Sequence, residues 1–157
     1  MSLAILRAMA AGHAGEVPVG AVVCAPDGAI LSACANASRH SCDASAHAEI
    51  LAIREACQKT GNFRLPGCTL IATLEPCPMC AGAIREARLA GLVFGAADPL
   101  AGAICSRAEF LALAPGAHRT WHMGGVLGQE CAEIMGRFFS NLRKNAPCAT
   151  ELSPCQN

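Results

Sequence analysis

Hydrophobic and polar positions follow two different periods along this chain, and the switches between them mark the elements. From Leu3 to His13, Leu3, Leu6 and Ala10 recur at helical spacing in an alanine-rich stretch that Gly12 and Gly15 close, which predicts a leading helix. Val17 to Cys24 is apolar and β-branched, Ala25-Pro26-Asp27-Gly28 is a turn signal, and Ala29 to Ala33 completes a hairpin. Small polar residues from Asn36 to Ser45 read as a loop, with Asp43 or Ser45 placed to cap a helix from about Ala46 to before Gly61. Ile50, Leu51, Ile53 and Cys57 form its apolar face.

Cys68 to Leu74 has strand character, and Pro76 and Pro78 stand where proline suits a helix start, so a helix is expected through about Leu89. Leu92 to Gly95 reads as a strand, Arg107 to Ala114 as a weaker helix broken by Pro115-Gly116, and Arg119 to Met123 as a fifth strand. In the last helix Cys131, Ile134, Met135, Phe138 and Leu142 share one face, opposite Glu130, Glu133, Arg137 and Asn141. This order predicts an α/β fold, a three-layer α/β/α domain with a mixed five-stranded sheet covered on both faces. One domain over residues 1–145 is expected, with 146–157 a flexible tail.

Composition narrows the class. The 157 residues suit one domain, and 53% hydrophobic with 15% charged, against an ordinary ~25% charged, excludes disorder. Uncharged stretches such as Val17 to Pro26 run about ten residues, short of the ~18 that cross a bilayer. Arg7 stands where an export signal would carry its apolar core, so a cytoplasmic protein is expected. Twelve basic residues balance twelve acidic ones, which excludes a broad cationic surface and leaves room for a local basic patch. Eleven cysteines in such a chain act as buried apolar residues or as metal ligands.

Two short motifs carry the chemistry: His47-Ala48-Glu49 at one helix start and Pro76-Cys77-Pro78-Met79-Cys80 at another. A Cys-x-x-Cys at a helix start points two sulfurs at one place, and the helix amino terminus stabilises thiolates. One histidine from a facing helix makes three ligands for zinc, leaving a fourth position for water, the layout of a catalytic site. Two thiolates and a neutral imidazole cancel the charge of the ion. Glu49 lies about 200° around the helix from His47 and need not ligate; it can reach the bound water as a proton carrier. A redox Cys-x-x-Cys would need no His-x-Glu partner. A structural four-cysteine site would need a second close pair, which the other nine cysteines do not supply. The remaining histidines, His13, His40, His118 and His122, read as ordinary loop or strand residues.

His-x-Glu followed by Pro-Cys-x-x-Cys is the pattern of zinc-dependent nucleobase deaminases. Beyond it, Glu16 to Ala21, Ala46 to Ile50, Leu74 to Ala83, Val93 to Ala96, Gly124 to Leu127, Glu130-Cys131 and Phe138-Phe139 resemble the bacterial tRNA-specific adenosine deaminase family of the cytidine deaminase-like superfamily. That resemblance covers about nine tenths of the chain. It implies zinc on His47, Cys77 and Cys80, one ion per chain, proton transfer by Glu49, a hydrogen bond from Asn36 to a flipped base, and a homodimer. Read without it, Asn36 is a turn residue. The implied activity is hydrolytic conversion of adenosine to inosine at the wobble position of the tRNA anticodon loop.

The chain departs from that family at Leu100, where a basic residue is common, and at Ala117, where an asparagine is common. Both changes would weaken RNA contact and favour a deaminase of a free base or nucleoside such as guanine, cytosine or adenosine. Against this, Arg137, Arg143 and Lys144 give a local charge of +3 between Ile134 and Thr150, suited to phosphates or to a solvated helix face. A non-catalytic zinc-stabilised binding protein is a third reading, and it leaves Glu49 unexplained.

Overall fold

The computed structural model describes residues 1–112 and 118–145. Ala117 and the expected tail at 146–157 lie outside the described residues. The elements follow in the order α1 (Ser2–His13), β1 (Gly20–Cys24), β2 (Ile30–Ala35), α2 (Ala48–Thr60), β3 (Thr69–Leu74), α3 (Pro78–Glu86), β4 (Gly91–Ala96), β5 (Trp121–Met123) and α4 (Gly128–Asn145). The sheet has five strands in the order β2-β1-β3-β4-β5. Strand β1 runs antiparallel to both β2 and β3, with Val22 opposite Ala33 on one side and Ile71 on the other. The β3–β4 and β4–β5 pairs are parallel, so the sheet is mixed as expected. Helices α1 and α4 cover one face and α2 and α3 the other. No helix among the described residues is long and apolar enough to cross a membrane.

The core is built from small residues brought close. Ala48, Ala52 and Ala56 of α2 and Ala81 and Ile84 of α3 bury against Val23, Leu70 and Leu92 of the sheet. On the other face, Ala4 and Ala8 of α1 are fully buried over Gly20, where an added Cβ would collide with the Ala4 carbonyl oxygen and the Ala8 nitrogen. Gly95 does the same for α4, since a Cβ there would meet the Cys131 sulfur. Close helix–sheet approach therefore depends on residues that contribute little side chain of their own.

Several expected boundaries move. β1 begins at Gly20 rather than Val17, because Pro18 has no N–H to give a ladder and the Val19 N–H closes a tight turn on the Val17 carbonyl at 2.8 Å. Neither Asp43 nor Ser45 caps α2. Asp43 instead accepts the backbone N–H and hydroxyl of Ser45, both at 2.7 Å, and the N-cap is His47. Helix α3 ends at Glu86, short of Leu89, and Arg88 turns left-handed with φ of 52°. β5 keeps only Trp121–Met123, and just before it the side chains of Thr120 and His118 bond the Leu89 carbonyl at 2.7 and 2.8 Å.

The expected helix over Arg107 to Ala114 is absent from its described part, 107–112, which forms a bend and turns. The chain just before it is held from across the fold. Glu75, 1% exposed at the end of β3, draws the backbone N–H groups of Ile104, Cys105 and Ser106 onto one carboxylate oxygen at 3.1, 2.7 and 2.9 Å. Its other oxygen accepts the Asp98 N–H at 3.0 Å and the Ser106 hydroxyl. The chain leaves this anchor with Phe110 N–H returning to the Ala103 carbonyl, a long-range closure rather than a helical ladder.

Burial works against the Glu75 charge, yet the Ser106 hydroxyl and the amides of Cys105, Ser106 and Asp98 hold its carboxyl down to about 2. A folded-state value below the unfolded one means the stabilisation is complete above the unfolded pKa near 4.5 and is lost as pH falls toward about 2. Glu75→Gln should therefore cost on the order of 2–3 kcal/mol above pH 5 in denaturant unfolding, with the gap to the parent protein closing between pH 4.5 and 2. A gap independent of pH would show that the charge does not hold the loop.

Candidate metal centre and active site

Because β1 opposes β2 and β3 while β4 runs with β3, the entry to β1 and the carboxyl ends of β2, β3 and β4 share one edge of the sheet. The amino termini of α2 and α3 arrive there too. This is the crevice outside the carboxyl ends of strands where open α/β sheets build sites.

His47 and Cys77 occupy equivalent places: each is an N-cap with extended backbone, ψ of 148° and 172°, and each precedes a helix that turns away from the crevice. Pro78 at the first position of α3 starts that helix without leaving an extra N–H unsatisfied. Cys80, one turn in, is fully buried. The His47 Nδ1 atom stands 3.7 Å from Cys77 Sγ and 3.6 Å from Cys80 Sγ, and the three candidate ligand atoms lie within 4.8 Å of one another. Zinc bonds of ~2.3 Å to sulfur and ~2.0–2.1 Å to nitrogen at tetrahedral angles place such atoms about 3.5–3.6 Å apart. The donor set and its spacing both fit zinc, with no fourth protein ligand among the described residues.

Electrostatics at the two thiols differ sharply. The Cys80 thiol and the first-turn amides of Cys80 and Met79 hold Cys77 down to about 5 against its partial burial. Its partnership with Cys77, deep burial and the nearby Glu49 charge push Cys80 up. Glu49, in the first turn of α2, is 4% exposed, and burial pushes its carboxyl above the ordinary range. Its Oε2 atom is buried without a hydrogen-bond partner in the fold, although buried carboxylate oxygens are almost always paired. An unpaired carboxylate oxygen beside a ligand set is free to take part in chemistry.

A cavity of about 340 Å³ opens over these groups, and Asn36, Glu16, Arg39 and Asp98 also line it. Asn36 follows the last residue of β2 and its Nδ2 donates to Glu16 Oε2 at 3.1 Å. The structure thus brings five of the expected site residues together: His47, Glu49, Cys77, Cys80 and Asn36. Arg137, Arg143 and Lys144 sit apart, on exposed parts of α4. Arg137 pairs with Glu133 at 3.2 Å, and Arg143 reaches Ser140 at 3.4 Å. Leu100, at 88% exposed, projects from the loop after β4.

Sequence reading assigned no role to Glu16, Arg39, Glu75 or Asp98. For Glu16 and Glu75 the only signal is position: each is an acid directly flanking an apolar strand run. Arg39 and Asp98 gave none, since each stands in a polar loop or turn. Of the other cysteines, Cys68 and Cys131 are buried and Cys42 and Cys105 exposed, while Cys148 and Cys155 lie outside the described residues.

The family described as the cytidine and deoxycytidylate deaminase zinc-binding region matches residues 1–96. The tRNA-specific adenosine deaminase of Agrobacterium fabrum is 43% identical over 91% of this chain and 93% of its own length. A solved structure from work on A-to-I editing by tRNA deaminases at the wobble position of transfer RNA is 44% identical, with a TM-score of 0.82, covering 85% of this chain and 96% of that one. The guanine deaminase structure from Bacillus subtilis is less alike, at 33% identity and a TM-score of 0.61, covering 94% of this chain and 93% of that one. With its His-x-Glu and Pro-Cys-x-x-Cys residues converging at one cavity, this chain belongs to the tRNA-specific adenosine deaminases of the zinc-binding cytidine and deoxycytidylate deaminase family.

Proposed function

We propose that this protein hydrolytically deaminates adenosine to inosine at the wobble position of the tRNA anticodon loop, with one zinc ion per chain held by His47, Cys77 and Cys80. The observation that carries the reading is the buried Glu49 carboxylate, with one oxygen unpartnered, beside a three-atom ligand set in a chain of this family. Zinc with three protein ligands supplies a water acidic enough to act as a nucleophile near neutral pH.

Glu49 carries the protons. Its carboxylate takes one proton from the attacking water and delivers it to a ring nitrogen of the base, then moves the second to the departing amine, so that water is consumed and ammonia leaves. Burial suits it to this work, because a carboxyl raised above its ordinary pKa holds a transferred proton more tightly than an exposed one would. Asn36, on the cavity wall, would hydrogen-bond the base once it is turned out of its stack, and the cavity admits one extruded base. Arg137, Arg143 and Lys144 would meet phosphates outside the cavity. The exposed apolar side chains of Leu100, Trp121, Met123 and Phe139 support a homodimer. The cytoplasm, where tRNA is processed, is the compartment that fits this substrate.

Ammonia release measured separately with tRNA, free bases and nucleosides, and single-stranded oligonucleotides tests the substrate. Release from tRNA is expected. The Arg143→Ala, Lys144→Ala double variant should weaken tRNA binding and lower its salt slope by roughly 1.5 to 2 units with zinc content unchanged. Release from a free purine with none from tRNA would replace the reading with small-molecule deamination. An unchanged salt slope would place the RNA on another surface.

The two kinds of site residue should separate under mutation. Glu49→Ala should keep its zinc and its thermal midpoint while losing turnover by on the order of 10²-fold or more. Cys80→Ala should lose zinc and activity together. Metal analysis alongside initial rates decides both, and full zinc occupancy in Cys80→Ala or full turnover in Glu49→Ala would contradict the assignments.

A further inference from the structure

Glu16 is a buried carboxylate that the deamination chemistry above does not use. It is 3% exposed, stands just before the Val17–Val19 turn and lines the same cavity as Glu49. Its Oε2 accepts Asn36 Nδ2 at 3.1 Å, and its Oε1 accepts the backbone N–H of His40 at 2.7 Å. The neighbouring Gly15 carbonyl accepts Arg39 Nη1 at 3.2 Å, so one short segment clasps the first half of the loop between β2 and the ligand His47. A charge taken out of water at this cost is retained where specific donors need it.

From this geometry we infer that Glu16 is a positioning residue for deamination, which fixes the orientation of the Asn36 amide toward the extruded base. An asparagine side chain has two ends of nearly equal shape, an acceptor and a double donor, and rotation by half a turn exchanges them. A carboxylate has only acceptors. Glu16 therefore engages the nitrogen end alone, and the oxygen with the remaining N–H is all that Asn36 can offer a base. The second bond, to the His40 N–H, holds the loop that follows Asn36 and keeps the two side chains in register.

The clasp distinguishes glutamate from glutamine. Glu16→Gln is nearly isosteric, but its amide can satisfy only one of two donors as an acceptor. If its oxygen keeps His40, its nitrogen faces the Asn36 nitrogen, donor against donor. Asn36 must then rotate and present the opposite set of groups to the base.

This inference rests on the deaminase reading and on Asn36 touching the base, and the test separates the failures. Turnover is measured in the zinc-loaded parent protein, Glu16→Gln, Asn36→Ala and the double variant. Thermal midpoints and zinc content serve as folding controls. Glu16→Gln should lower kcat/KM about tenfold or more in the parent background, and by less than about twofold when Asn36 is already alanine. Equal losses in both backgrounds would mean that Glu16 only supports the fold, and no loss in the parent would overturn the role outright.

A second readout does not depend on activity. In ¹⁵N-resolved NMR spectra, one Asn36 side-chain amide proton should exchange slowly with solvent in the parent and rapidly in Glu16→Gln. Equally fast exchange in both proteins would also overturn the proposal. If Glu16→Gln fails to fold, Glu16→Asp, which keeps both acceptors on a shorter stem, should retain a slowly exchanging Asn36 proton, and a fast one would count against the clasp. A parent protein that is silent on tRNA but shows the protected proton would sink the substrate reading and leave the clasp standing.

Discussion

Everything distinctive about this molecule depends on three donor atoms meeting at one point: Nδ1 of His47 and the sulfurs of Cys77 and Cys80. Two of them are delivered by N-cap residues, at the one position on a helix where the backbone is still extended while the helix field is already favourable to negative charge. Neither helix could bring its cap to this place without the antiparallel β1 between β2 and β3, which gathers a strand entry and three strand exits at one edge. The sheet topology is thus the scaffold for the ligand set, and the small residues at Gly20 and Gly95 let the covering helices lie close enough to hold that sheet rigid.

Three buried carboxylates around the crevice illustrate how surroundings divide labour among like groups. Glu75 is saturated with donors and stays charged, so it acts as a structural anchor for the loop that ends at Ser106. Glu16 has one donor on each oxygen, which suits it to orienting others. Glu49 keeps an unpartnered oxygen in a buried setting that raises its affinity for a proton. Among these three acids, the hydrogen-bond inventory rather than the residue type distinguishes the candidate proton carrier from its supports.

The parts of this arrangement that were legible in the sequence are those encoded locally. β-Branched runs with a Pro-Asp-Gly turn gave the hairpin, a strict apolar stripe gave α4, and ligand spacing tied to helix starts gave His47, Cys77 and Cys80. Long-range donors were invisible. The segment 107–112 has helical composition, yet the chain entering it is fixed by Glu75, some thirty residues earlier, and no local pattern records that. Asp43 looked like a cap because its side chain does bind a nearby N–H, but it closes its own turn two residues short of the helix. Asn36 was readable through family resemblance only, and the partner that gives its amide a direction, Glu16, lies across the fold at a distance of twenty residues.

The central claim is a zinc centre with two thiolates, one imidazole and one position open to water. Zinc-edge X-ray absorption on the metal-loaded protein measures that shell directly. Two sulfurs at about 2.3 Å and two nitrogen or oxygen atoms at about 2.0–2.1 Å are expected. A shell of four sulfurs would mean a closed structural site that recruits other cysteines, and a shell without sulfur would mean that Cys77 and Cys80 do not bind the ion; either result would contradict the account.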